Sequence, residues 1–197
     1  MTTLRVLGVD PGLTRCGIGI VDAIGGRRAR LVHAGVIRSD SGEPLERRLL
    51  GIALGLRAVL EEFAPDAVGV ERVFSQSNIS TVMGTAQVSG IALLEAAERG
   101  IPVALHTPSE VKAAVTGSGR ADKKQIQSVL VKVLGLDAAP QPADASDAVA
   151  IALTQLWRGG GPVALDRTGG ARTSAQAVWA EAERRARRAR ERSTSRQ

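Results

Sequence analysis

Tyrosine is absent from this 197-residue chain, cysteine occurs once and histidine twice, and no apolar run is long enough to span a bilayer. Each gap removes a class of chemistry. Cys16 alone cannot form an intrachain disulfide or a cysteine-rich zinc site, and without a paired base it reads as a small buried hydrophobe. A membrane helix needs about 18 or more apolar residues. The opening "MTTLRVLGVD" carries no basic segment followed by an apolar one, so the expectation is a cytoplasmic protein without membrane contact. Any task that needs an aromatic ring falls to Phe63, Phe74, Trp157 or Trp179.

Charge is present but unevenly placed. The net +6 lies wholly beyond residue 157: residues 1–157 balance 16 Lys and Arg against 16 Asp and Glu, whereas residues 158–197 set 10 arginines against 4 acids. A basic segment of this kind points to an anionic partner for the tail and leaves the remainder to be judged on its motifs. Composition changes at the same place. "RGGGPVALDRTGGAR" (158–172) reads as a Gly-rich linker. Residues 173–197 read as a basic tail, with a Thr173…Gln176 capping box that favours a helix.

Within residues 1–157 the apolar periodicity alternates between two and 3.6. "LRVLGVD" (4–10), "CGIGIVD" (16–22) and "ARLVHAGVIRS" (29–39) are Val- and Ile-rich strands joined by Pro/Gly turns, predicting an antiparallel meander. Leu45, Leu49, Ile52, Leu56, Val59, Leu60 and Phe63 share one helical face. A buried strand follows, ending at Glu71, then a helix over 78–99 stopped by Gly100, the strand "IPVALHT", and helices over 108–115, 121–134 and 142–157. The order predicts an α/β domain: a mixed five-stranded sheet, three strands antiparallel and then two parallel, with helices on both faces.

Asp10 and Glu71 both terminate strands, where open α/β sheets bind ligands, and Asp144 and Asp147 lie three apart on the last helix of this domain and so share a face. Singly, each acid has a structural explanation as a helix cap, a dipole partner or a turn residue. Converging, they would repel one another unless a cation neutralised them. Carboxylates without thiolates select Mg²⁺ or Mn²⁺. Two such ions about 3.5–4 Å apart activate water on one side of a phosphodiester and stabilise the departing oxygen on the other, so the constellation suggests a nuclease, with Asp10 bridging both ions.

The segments "GVDPGLTRCGIGIVD", "VGVERVF", "EVKAAVTGSGRADKKQIQ" and "PADASDAVAIA" occur together and in this order, and with them the chain resembles the RuvC-type Holliday-junction resolvases of the ribonuclease H-like superfamily across most of residues 4–157. The resemblance implies a homodimer that makes paired symmetric nicks in a four-way DNA junction, working beside a branch-migration complex of the RuvA and RuvB type. It implies two Mg²⁺ per subunit, with Mn²⁺ substituting, held by Asp10, Glu71, Asp144 and Asp147. By the same resemblance Phe74 works at the junction centre, and Lys112 and Lys123 face the scissile strand. Lys124 and Arg72, with Arg120, are further phosphate contacts. Asp147 stands where relatives carry Asp or His, which leaves an all-carboxylate site without an imidazole base.

Three competing readings remain on residues alone. In an actin-like phosphotransferase "DPG" would be a phosphate loop, but the other Asp-x-Gly, Asp40-Ser41-Gly42, precedes a helix with no strand after it. A noncatalytic DNA-binding module would not need all four acids. Another ribonuclease H-like nuclease would share every feature of the fold. For the dimer, Gly84, Ala86, Ser89, Gly90 and Ala92 permit close helix approach, and packing within one chain explains them equally.

Overall fold

The structure, a computed structural model, describes residues 3–72 and 79–158, without the side chains of 79–81. Phe74 and the expected linker and tail from residue 159 lie outside the described residues. Three strands, β1 (Arg5–Asp10), β2 (Arg15–Gly25) and β3 (Arg28–Arg38), lead into helix α1 (Leu45–Phe63) and strand β4 (Ala67–Glu71). Then come α2 (Ile79–Glu98), β5 (Val103–His106), α3 (Pro108–Thr116), α4 (Lys123–Leu134) and α5 (Ala143–Arg158). The sheet runs β3-β2-β1-β4-β5. β1–β2 and β2–β3 pair antiparallel, β1–β4 and β4–β5 parallel, as the sequence pattern predicts. β2 extends three residues past the expected end because Gly25 and Gly26, both at positive φ, place the hairpin turn there. Among the described residues no helix is long and apolar enough to cross a membrane.

Strand alternation sorts the core into two layers. Leu7, Val9, Ile18, Ile20, Val68 and Val70 pack against α1 and α2, with Cys16 buried among them as expected. Val6, Val21 and Ala67 face the other way, onto α3, α4 and α5. The same period of two puts Asp10 and Glu71 on the α5 side, in step with Val6 and Ala67. α5 is buried almost throughout, and glycines let it lie close to the sheet. A methyl group at Gly8 would run into the carbonyl of Ala148, and one at Gly17 into that of Asp144; at Gly19 it would come within 2.5 Å of the Val149 nitrogen. Strand glycines here serve close backbone approach.

Two buried carboxylates tie the layer of α1 and α2 together. Asp22, with a side chain only 2% exposed, accepts from Arg5 Nε at 2.7 Å and from Arg30 at 2.8 Å, while Arg5 also donates to the Phe63 carbonyl that ends α1. Glu95 on α2 accepts from Arg57 on α1 at 2.6 Å and from Arg99 at 2.8 Å. Hydrogen bonding from Arg5 holds the Asp22 carboxyl below its ordinary range. Asp22→Ala is expected to cost about 1–3 kcal/mol, because it removes charge-assisted hydrogen bonds from Arg5 and Arg30, whose part-exposed guanidiniums can turn to water. Since the folded value is depressed, this contribution is present above the ordinary carboxylate range and lost as pH falls through the folded value. Urea unfolding of the two proteins should therefore differ at neutral pH and converge in acid.

On α2, Ser89 and Ala92 are buried within the chain, and a side chain at Gly84 would touch Leu13, so packing inside the chain accounts for three of the five small residues. Ala86 and Gly90 face outward, on the same stripe as exposed Met83 and Leu94.

Candidate active site

The parallel pairing of β1 and β4 matches Val9 with Val70, so the next residues, Asp10 and Glu71, end neighbouring strands side by side. Across the β1–β2 ladder Asp10 is paired with Gly17, and the missing side chain of Gly17 leaves room for the first turn of α5. That turn brings Asp144, and one turn later Asp147, over the same strand ends. All four acids thus border one region, from three strands' geometry and one helix.

Their electrostatics record the crowding. Burial pushes the Asp10 carboxyl up to about 7, helped by repulsion from Glu71, Asp147 and Asp144 and opposed by Lys123. Glu71 is also raised, first by burial and then by Asp147, with Lys123 and Lys112 opposing. Glu71, Lys112, Lys123 and Asp147 line a cleft of about 180 Å³ between α3, α4 and α5. Lys123 Nζ lies 3.2 Å from Asp147 Oδ2, and an Arg15 guanidinium nitrogen lies 2.5 Å from Asp144 Oδ2. That oxygen is buried and has no hydrogen bond, so Arg15 meets it as a charge, off the N–H direction.

Among the described residues, no three His, Cys, Asp or Glu side chains stand close enough together to hold one ion. Lys123 pairs with Asp147, and Arg15 with Asp144. The donor set nevertheless fits a hard divalent cation. It consists of four carboxylates with no thiolate or imidazole, two of them with raised proton affinity, and one buried oxygen lacking a hydrogen bond.

The other residues singled out from sequence divide. Lys112 and Lys123 line the acidic cleft. The backbone supplies the reason: Thr107 caps α3 and Asp122 caps α4, each in a capping box, which fixes where the two lysines emerge. Lys124, one residue on, lines a separate groove with Thr116, Ser118 and Gln125. Arg72 is exposed just beyond Glu71, its backbone N–H donating to the His106 carbonyl at 2.8 Å. Arg120 is exposed as well. His106 is buried, its Nε2 2.8 Å from Gln155 Oε1, and burial lowers its proton affinity, so it ties β5 to α5 as a neutral ring. Asp40-Ser41-Gly42 closes a local turn, Gly42 N–H donating to Asp40 Oδ1 at 2.9 Å. Arg15 was not visible as a site residue in the sequence: it stands at the start of a strand with no motif around it, and only the seating of α5 brings Asp144 to it.

A mixed five-stranded sheet with acids at the ends of its adjacent central strands and on the helix laid across them defines a ribonuclease H-like protein. The family model described as crossover junction endodeoxyribonuclease RuvC matches residues 6–155. The chain belongs to that family. The RuvC of Leifsonia xyli subsp. xyli is 56% identical over 195 residues, spanning 92% of this chain and 93% of its own. That of Thermobifida fusca is 60% identical over 156 residues, 79% of this chain and 86% of its own. The solved structure of T. thermophilus RuvC in complex with Holliday junction substrate superposes with a TM-score of 0.76 at 36% identity, covering 79% of this chain and 94% of that one.

Proposed function

We propose that this protein is a structure-specific endonuclease that resolves four-way DNA junctions by paired symmetric nicks, in recombination and repair, in the cytoplasm. The observation that carries the reading is the placement of Asp10 and Glu71 at neighbouring strand ends beneath Asp144 and Asp147. Membership of the family and the likeness to a RuvC solved with a junction support the substrate.

In this reading Asp10, Glu71, Asp144 and Asp147 hold two Mg²⁺ per subunit, and Mn²⁺ substitutes. Once bound, the ions supply an activated water and stabilise the departing oxygen of the phosphodiester. Asp10, its short side chain held at the end of a central strand beside Glu71, would be a shared ligand of these ions and would have to lose its proton to bind them. Lys112 and Lys123, on the cleft wall, bind the non-bridging oxygens of the scissile strand and hold it over the acids. Lys124 and Arg72 lie outside the cleft and contact phosphates farther along. Phe74, three residues past Glu71, stacks at the junction centre. Junction binding by a homodimer presents two such sites; the outward stripe of Met83, Ala86, Gly90 and Leu94 is its contact, with a branch-migration complex as the further partner. Residues 1–157 form the nuclease domain, followed by the linker over 158–172 and a basic tail over 173–197 that adds nonspecific DNA affinity.

The decisive comparison sets a synthetic four-way junction against linear duplex of the same sequence, with Mg²⁺ and with a chelator. Symmetric nicking confined to the junction and abolished by chelation is the expected result. Equal cutting of duplex would make this a ribonuclease H-like nuclease of other specificity, and no cutting in Mg²⁺ or Mn²⁺ would overturn the enzymatic reading.

A further inference from the structure

Arg15 belongs to two places at once. Its guanidinium faces the buried Oδ2 of Asp144 at 2.5 Å, with the side chains 42% and 30% exposed. It also lines a second groove, of about 530 Å³, together with Gly12, Leu13, Thr14, Arg48 and Gly84, and among the described residues no carboxylate lines that groove. Arg48 is already fixed there, donating from Nε to Ser39 Oγ at 3.0 Å and from a terminal nitrogen to Thr14 Oγ1 at 2.8 Å. The groove therefore offers one anchored guanidinium, the loop residues Gly12 and Thr14, and the side of a second guanidinium now turned toward an acid.

A divalent ion that takes this oxygen competes with Arg15 for its lone pairs, and the ion's charge would repel the guanidinium 2.5 Å from its ligand. A part-exposed ion pair is weak enough for a metal to displace. The planar fork of a released arginine suits a phosphate and requires no change of protonation. We propose that Arg15 is an exchange cation: it neutralises Asp144 in the metal-free chain and, when a divalent ion takes that carboxylate, turns into the neighbouring groove to hold a DNA backbone phosphate beside Arg48. The proposal rests on the metal site read above. It makes metal and DNA binding mutually reinforcing, since a coupling between two ligands acts equally in both directions.

The test uses the full chain and two measurements. In titration calorimetry without DNA, Arg15→Gln should bind Mn²⁺ about two- to fivefold more tightly than the unaltered protein, because the competing cation is gone. Junction affinity is then followed against salt, in Ca²⁺ and in a chelator. Arg15→Gln should lose about one unit of the log–log salt slope in Ca²⁺ and none in the chelator, the signature of one phosphate contact made only with metal present. Arg15→Lys should keep that slope, and Asp144→Asn, which frees Arg15 without metal, should add about one unit in the chelator. Unchanged Mn²⁺ affinity in Arg15→Gln, or the same slope loss with and without metal, overturns the proposal and leaves the metal site standing. No Mn²⁺ uptake by the unaltered chain overturns the metal site itself. Should Arg15→Gln not fold, the lysine and Asp144 variants decide.

Discussion

Asp10→Asn is expected to abolish strand cleavage while making the folded chain more stable. Asparagine fills the same space, so the packing around β1 and Gly17 is kept. What it removes is the negative charge beside Glu71, Asp144 and Asp147, and with it one ligand of the metal site proposed above. Loss of a group that organises charge at the reacting centre should lower kcat by at least about a thousandfold. Stability should move the other way. Burial and like charges lift the Asp10 carboxyl from 3.8 to about 7. A shift of that size corresponds to roughly 2–4 kcal/mol once screening at the cleft mouth is allowed for.

The sign follows from where the proton is held. A carboxyl whose folded value lies above its unfolded one destabilises the fold at high pH, fully above about 7, and the penalty fades as pH falls toward 3.8. Asp10→Asn should therefore melt higher than the parent in alkaline, metal-free buffer and equally with it in acid. Saturating Mg²⁺ should raise the parent's midpoint and leave the variant's nearly unmoved. A variant that is inactive and also less stable at high pH would mean that Asp10 serves the fold and not the site.

Gly17→Ala should damage fold and site together. Its added methyl would overlap the Asp144 carbonyl and lie 3.2 Å from the Asp10 Cβ, and neither neighbour is the free end of a flexible side chain. Forcing a methyl group into a packed interface costs about 1–3 kcal/mol, and the upper part of that range applies where backbone must move. The element that moves is the first turn of α5, so Asp144 leaves the strand ends. Cleavage, corrected for the folded fraction, should fall by about a hundredfold or more, as misplacement by about 1 Å does. Gly51→Ala on α1 is the control: among the described residues nothing lies within 4 Å of the added methyl. It should stabilise by about 0.5–1 kcal/mol through helix propensity, with cleavage unchanged. Urea unfolding and junction nicking on the same preparations separate the two effects.

Much of this was legible in the chain alone because it depends on local periodicity. Val and Ile at every second position gave the meander, and apolar residues at 3.6 spacing gave the helices. The acids at strand ends were visible as polar residues that an apolar run has no reason to end on. Gly8, Gly17 and Gly19 lie inside the stretches read as strands and drew no reading of their own, because an absent side chain has no meaning until its neighbour across the sheet is known. Arg15 was silent for the same reason: its partner is 129 positions away and reaches it through the seating of α5.

The sequence by itself determined which elements form, in which order, and that four carboxylates lie at their ends, since these follow from the pattern of side chains along one stretch of backbone at a time. Only the tertiary structure decided that Lys112 and Lys123 face the acids while Lys124 turns away, that His106 is a buried tie, and that Arg15 meets Asp144. The lysines depend on where Thr107 and Asp122 start α3 and α4, and the other two outcomes on how closely α5 can approach the sheet. That distance is set by atoms from β1, β2 and α5 meeting in space, and the order of residues along the chain does not contain it.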